Sequence, residues 1–168
     1  ASKMVDRPRQ PDLQSGYMDV VMEGKSGWRG RSTIFDAINK VATNTKGFER
    51  WAEGRATMVF GTGPLAMGAI EFMKARNAAV SVSGPSDNAA TTVAKKHSVR
   101  HVPWSAIHST ATDVVVLAGS DIRCGTDRGM LNPSLLREGM LVIDLTAYPG
   151  ESAFAVEANV RGSVYLSP

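Results

Sequence analysis

The sequence predicts a doubly wound, three-layer α/β/α domain of the Rossmann-like kind. Three observations carry this expectation. Short apolar runs alternate with helical stretches from residue 56 to the C-terminus. Those runs are continuous in Val, Ile and Leu, without the period-two alternation of a half-exposed strand, so they suit strands buried on both faces. Successive strands separated by helices also require crossovers of one hand, which builds a parallel sheet with helices on both faces.

Taken in order, residues 1–16 are polar, with Pro8, Pro11 and Gly16, and suit a flexible arm. Residues 17–23 (YMDVVME) read as a short strand, and 24–32 (GKSGWRGRS) as a loop from their Gly and Ser content. Ile34, Ala37, Ile38 and Val41 recur at helical spacing, predicting a helix from Thr33 to about Thr45. Ser32 or Thr33 supplies its N-cap, and Asp36 an acid in its first turn. Beyond Gly54, strand 56–61 leads to helix 64–76, strand 78–84 and helix 86–97. Strand 99–104, a helical turn near 105–110, strand 113–119, helix 132–139, strand 140–146, helix 151–162 and a last strand complete the chain. The expected organisation is an arm or linker over 1–32 and one dinucleotide-binding domain over 33–168.

Composition narrows the class. The chain has 168 residues, 43% hydrophobic and 21% charged, enough for one domain with its own core. No apolar run approaches the roughly 20 residues that span a bilayer. A lone cysteine, Cys124, suits a reducing, cytoplasmic compartment. The net charge is +3, but the basic residues are scattered and do not alternate with aromatics, so neither nucleic acid nor a membrane is the expected partner. His97, His101 and His108 form no metal-ligand pattern with Cys124 and read as surface or strand-end histidines. Cys124 has no base beside it in sequence and reads as a lining residue of the loop after strand 113–119.

The chemistry concentrates at Gly61-Thr62-Gly63-Pro64-Leu65-Ala66, where the first strand of the α/β region turns into its helix. Gly61 suits the tight turn, and Gly63, lacking a Cβ, lets a pyrophosphate approach the backbone. Pro64 stands at the first helical position, where its missing N–H costs nothing. The remaining N–H groups and the helix dipole favour an anion. Ala66 replaces the third glycine of the pattern. The next strand ends in Ser83-Gly84-Pro85-Ser86, with neither the acid that receives an NAD ribose nor an arginine for the extra phosphate of NADP. Without a carboxylate there, and with Ser83 and Ser86 as donors, the reading leans toward NADP, with NAD the alternative. Asp144, at a strand end, suits either function or the orienting of a turn. Asp113, at a strand start, suits a cap or turn. Trp28 and Trp51 flank the first helix and suit a domain or subunit contact.

These residues resemble a known family. The stretches VFGTGPLAMGAIEFM, PWSAIHSTATDVVVLAG and LNPSLLREGMLVIDLTAYPGESAFAVEANVRGSVYLSP resemble the C-terminal cofactor domain of shikimate dehydrogenases. The most specific segment is Asp144-Leu145-Thr146 with Tyr148-Pro149, similar to the family's D-L-x-Y-x-P. More faintly, Gly30-Arg31-Ser32-Thr33 resembles the start of its G-x-N-T-D. The resemblance implies an NADP-dependent interconversion of 3-dehydroshikimate and shikimate, a step toward aromatic amino acids. It also implies a small-molecule substrate bound with a preceding substrate domain and a closing helix, both outside this chain, so that the chain alone is expected to be inactive. A second copy of the chain is admitted as a partner. It places the pyrophosphate at Gly61, Thr62, Gly63, Pro64 and Leu65, and the adenosine ribose near Ser83, Gly84 and Ser86. Ala118, Gly119 and Ser120 would follow the cofactor toward the nicotinamide, with Thr146 near the ring. Departures fall on functional positions: Ile34 stands where the family has its catalytic Asp, and Asp36 lies about 200° round the helix from it. Ala147 replaces a Tyr, Leu117-Ala118-Gly119 replaces N-A-T, and Pro85 replaces an Arg. No catalytic residue is therefore assigned. The alternatives are a catalytically silent nucleotide-binding relative and a related dehydrogenase acting on quinate.

Overall fold

The computed structural model describes residues 18–25, 27–45, 48, 53–146 and 152–167. Eight strands are present among them: β1 (Val20–Gly24), β2 (Gly27–Arg31), β3 (Ala56–Phe60), β4 (Ala79–Ser83), β5 (Arg100–His101), β6 (Val114–Leu117), β7 (Leu141–Asp144) and β8 (Val164–Leu166). The α-helices are α1 (Thr33–Asn44), α2 (Pro64–Lys74), α3 (Asp87–His97) and α4 (Ala153–Val160), with 3₁₀ turns at Trp104–Ser109 and Pro133–Leu135.

Six strands form one sheet in the order β5-β4-β3-β6-β7-β8, and every neighbouring pair is parallel. The chain starts in the middle at β3, winds out to β5, then returns to β3's other side at β6. That reversal is the point at which open α/β sheets hold ligands, above the carboxyl ends of the strands. The expected fold class is therefore the observed one.

Alternate residues of each strand feed two apolar layers. Val59, Val82, Val114, Val116, Leu141 and Ile143 meet α1, α2 and α3 through residues such as Ile38, Ala66, Ile70, Phe72 and Val93. On the other face Met58, Phe60, Val115, Leu117 and Val142 pack with Ile107, Leu131, Leu135, Phe154 and Ala158. Side chains as completely buried as Ile70 or Phe60 each contribute about 1.5–3 kcal/mol. Helix α1 is fastened to α2 by Arg76, whose guanidinium carbon lies 3.7 Å from the Phe72 ring centroid. The same guanidinium donates to Asn39 Oδ1 at 3.0 Å.

Four expectations are corrected. Residues 27–31 are not a loop: they pair antiparallel with β1, Met22 opposite Arg29 and Glu23 opposite Trp28. The partner strand supplies the hydrogen-bond ladder that this glycine-rich segment lacks by propensity. The predicted strand over 99–104 shrinks to Arg100–His101, and the predicted helix over 132–139 to the 3₁₀ turn Pro133–Leu135. Asn132 caps that turn by accepting from the Ser134 N–H at 2.9 Å. Finally, Ser32 is the N-cap of α1 by position but makes no side-chain cap bond. Asp19 does that work from outside the helix, its carboxylate accepting from the Thr33 N–H at 2.7 Å and from the Thr33 hydroxyl.

Candidate functional site

The turn between β3 and α2 lies at the sheet's reversal point. Gly61 has φ +129°, a conformation that L side chains rarely adopt. A Cβ there would stand 2.7 Å from the carbonyl carbon and oxygen of Ala118 and 2.9 Å from the Gly119 nitrogen. A Cβ at Gly119 would in turn come within 3.1 Å of the Gly61 Cα. Two backbones thus touch with no side chain between them. Hydrogen bonds from Gly61 N–H to Ser83 O (2.9 Å) and from Ala118 N–H to Phe60 O (2.8 Å) hold them in place.

Above this contact, Thr62, Gly63, Pro64, Leu65, Ala118, Gly119, Ser120 and Asp121 line an open cleft of about 320 Å³. Gly63 is the N-cap of α2, with an extended backbone and no side-chain cap bond, and Pro64 opens the helix. Nothing lies within 4 Å of the place a Gly63 Cβ would fill. The first N–H groups of a helix lack intrahelical partners, so the α2 terminus offers donors and the positive end of its dipole to an anion. Of the residues read from the sequence as the cofactor site, Thr62 to Leu65 and Ala118 to Ser120 line this cleft, and Gly61 is not in its lining but abuts the backbone of Ala118 and Gly119. Thr146 and the residues at the β4 terminus are not among its lining. Asp121 escaped the sequence reading. It is the one charged side chain among the described lining residues, and only the fold, which sets Gly119 against Gly61, shows that it belongs there.

The end of β4 gives a mixed outcome. Ser83 is wholly buried, its Oγ without a hydrogen-bond partner among the described residues. Gly84 lies under Thr62, whose Cγ2 would sit 3.2 Å from a Cβ added at Gly84. Ser86 is exposed and caps α3, accepting from the Ala89 N–H at 3.4 Å. Of the two serines read as donors, only Ser86 faces solvent; Ser83 is buried, its carbonyl accepting from the Gly61 N–H.

At β7's carboxyl end, buried Asp144 accepts from the Thr146 N–H (2.9 Å), the Thr146 hydroxyl (2.6 Å), Ser152 Oγ (2.8 Å) and Tyr165 Oη (2.9 Å). Its acceptor positions are used in joining β7, the cap of α4 and β8. Through these bonds Asp144 orients the turn after β7, one of the two roles that its place at a strand end suits. Burial pushes the Tyr165 phenol up to about 12, with the Asp144 carboxylate adding to the rise and the Ser152 hydroxyl opposing it. Thr146 gives its hydroxyl to Asp144, one strand over from Ala118.

No family model and no curated protein matches this chain. Solved structures do. Shikimate dehydrogenase from Aquifex aeolicus superposes with a TM-score of 0.80 at 17% identity, over 98% of this chain and 60% of that one. The Thermus thermophilus enzyme, in complex with NADP(H) and shikimate, gives 0.78 at 16% identity over 99% and 61%. The Listeria monocytogenes enzyme, with shikimate and NAD, gives 0.79 at 13% over 99% and 62%. The fold is shared with shikimate dehydrogenases. This chain spans about 60% of the length of those structures, and its parallel six-stranded sheet matches their cofactor-binding domain.

Ile34 packs onto α2, its Cγ2 2.8 Å from where a Gly68 Cβ would stand. Asp36 is ion-paired with Arg31 rather than turned to the cleft. Trp28 sits half-exposed on β2; Trp51, Ala147, Tyr148 and Pro149 lie outside the described residues. Asp113 clamps two strand starts, accepting from the Ala56 N–H at 3.1 Å while its own N–H donates to Ala56 O. Cys124 packs against the second core layer. Burial, then the Glu157 carboxylate, push its thiol up, with Arg161 opposing, so it keeps its proton and is a poor nucleophile. His101 is at a strand end as expected, but His97 is not a surface residue. It is buried between α2 and α3 against Glu71.

Proposed function

We propose that this chain is the cofactor-binding part of a hydride-transferring oxidoreductase resembling shikimate dehydrogenase. Residues 33–168 would form the dinucleotide domain, and 1–32 a linker from a substrate domain. The Gly61–Gly119 backbone contact at the sheet's reversal carries this reading, because it leaves a side-chain-free floor beneath the donors of α2 where a pyrophosphate fits. The free rim at Gly63 and Pro64 would take the diphosphate. Ser86 would meet the adenosine ribose, and Ala118, Gly119 and Ser120 would guide the dinucleotide toward β7. A bound nicotinamide supplies the hydride, and this chain's residues bind and orient it. NADP is the cofactor of the resemblance and NAD the alternative; 3-dehydroshikimate/shikimate is the proposed substrate pair, in the cytoplasm. A catalytically silent nucleotide binder is the second reading, favoured by Ile34, which fills the place of the family's acid with an apolar contact to α2.

Calorimetry with ADP-ribose tests the site, and a loss of binding in Gly63→Val tests its location. Absence of ADP-ribose binding by the folded chain overturns the reading. Joining the chain to a substrate domain and assaying shikimate or quinate oxidation separates enzyme from silent relative.

A further inference from the structure

We propose that the carboxyl end of β4, next in the sheet to the strand that opens this cleft, is built for a dinucleotide without a 2′-phosphate, and that Asp87 sets the preference. This rests on the dinucleotide reading above and refines it: NAD is bound more tightly than NADP.

Selecting a 2′-phosphate requires a cation near the end of the strand that receives the ribose, usually a guanidinium. Here β4 ends in Ser83, and Gly84, Pro85 and Ser86 follow. No Lys or Arg occurs between Arg76 and Lys95. Arg76 is committed elsewhere, stacked on Phe72 and bonded to Asn39. Lys95 and Lys96 lie in the last turn of α3, roughly 12 Å along the helix from its start at about 1.5 Å per residue. The Lys96 ammonium is turned to the Met67 sulfur at 3.6 Å, on the flank of α2.

The charged group that does stand at this end is a carboxylate. Asp87 is the first residue of α3 and its side chain is half-exposed. The fold fixes it there: the Trp104 N–H donates to Oδ1 at 3.1 Å, and His101 Nε2 lies 3.3 Å from the same oxygen, within ion-pair range though without hydrogen-bond geometry. Oδ1 is thus held on the rim between the ends of β4 and β5. An acid in the first turn also offsets the positive end of the α3 dipole, the one feature that would otherwise favour an added anion. A 2′-phosphate at the end of β4 would therefore meet the Asp87 carboxylate and no Lys or Arg of the turn that joins β4 to α3. Ser86, whose oxygen already accepts from Ala89 N–H, keeps its hydroxyl proton for a neutral ribose hydroxyl.

Titration calorimetry of the 168-residue chain with ADP-ribose, NAD and NADP tests this. NAD is expected to bind about tenfold more tightly than NADP, a difference the size of one unscreened like-charge contact. Asp87→Asn should close most of that gap, and Pro85→Arg should reverse it, with circular dichroism confirming that each variant is folded. If ADP-ribose binds but NADP is as tight as NAD or tighter, the inference falls and the dinucleotide reading stands. A gap that survives both substitutions also overturns it. If ADP-ribose itself does not bind, both fall together.

Discussion

His97 Nδ1 lies 2.6 Å from Glu71 Oε1, a buried pair that locks α3 against α2. Lys74 completes the joint: its ammonium donates to the His97 carbonyl at 2.6 Å and lies 3.7 Å from the same carboxylate oxygen. Removing one member strands the other out of water. Glu71→Ala is expected to destabilise the chain by about 1–3 kcal/mol, the cost of an unpaired buried polar group. Urea denaturation measures it. A loss no larger than that of a surface Glu→Ala change would mean the pair contributes nothing net.

Gly61→Ala should be the most damaging single-methyl addition near the cleft. It combines a positive-φ backbone with a clash onto the Ala118 carbonyl, which belongs to backbone and cannot rotate away. The expected cost is about 1–3 kcal/mol from strain alone, with ADP-ribose affinity lost in whatever remains folded. Gly63→Ala, where the added carbon meets open space, should leave stability nearly unchanged. Thermal melts of the two variants side by side check the contrast.

Ile34 and Gly68 are coupled by contact. Gly68→Ala drives a methyl into the Ile34 Cγ2, and truncating Ile34 to Ala removes the obstruction. A double-mutant cycle should therefore give a coupling of about 0.5–2 kcal/mol, the alanine at 68 being better tolerated when 34 is also alanine. Simple additivity would refute the contact.

The burial of the Tyr165 phenol, with the Asp144 carboxylate beside it, predicts a loss of stability in alkali. The folded phenol titrates at about 12, above the ordinary value of about 10 of an unfolded tyrosine. Below that ordinary value the contribution is complete; as pH rises toward the folded value, the unfolded chain releases the proton first and stability declines. Tyr165→Phe should lower stability at neutral pH and flatten this slope between about pH 10 and 12. Denaturant midpoints across that range measure both.

Asp19 predicts the opposite edge. Burial acts to raise its carboxyl, yet the hydrogen bonds from Thr33, with Arg31 helping, hold it below the usual aspartate value. Its contribution is complete above that usual value and is lost as pH falls through the lowered one. Asp19→Ala should cost about 1 kcal/mol at neutral pH, as other lost helix caps do. The difference between variant and parent should shrink on acidification below about pH 4, as read by urea midpoints.

The sheet and the glycine turn between β3 and α2 were legible in the sequence because each depends on local rules. A run such as VVVL has one environment that suits it, and Gly-Thr-Gly-Pro between a strand and a helix specifies its own backbone geometry. The strand-to-helix positions of Gly61 and Pro64 followed from chain order, and that of Ala118 in the site from the family resemblance. What only the tertiary structure decided are relations between residues far apart in sequence. Asp19 caps a helix 14 residues on, Gly27–Arg31 becomes a strand by finding β1, and His97 is buried because Glu71 faces it from another helix. Asp144 joins Thr146, Ser152 and Tyr165, and Ser83, read as a donor near the ribose, is wholly buried. The physical reason is the same in each case: propensity and periodicity are set by neighbours along the chain, whereas a polar group's role is set by which partner meets it once water is excluded.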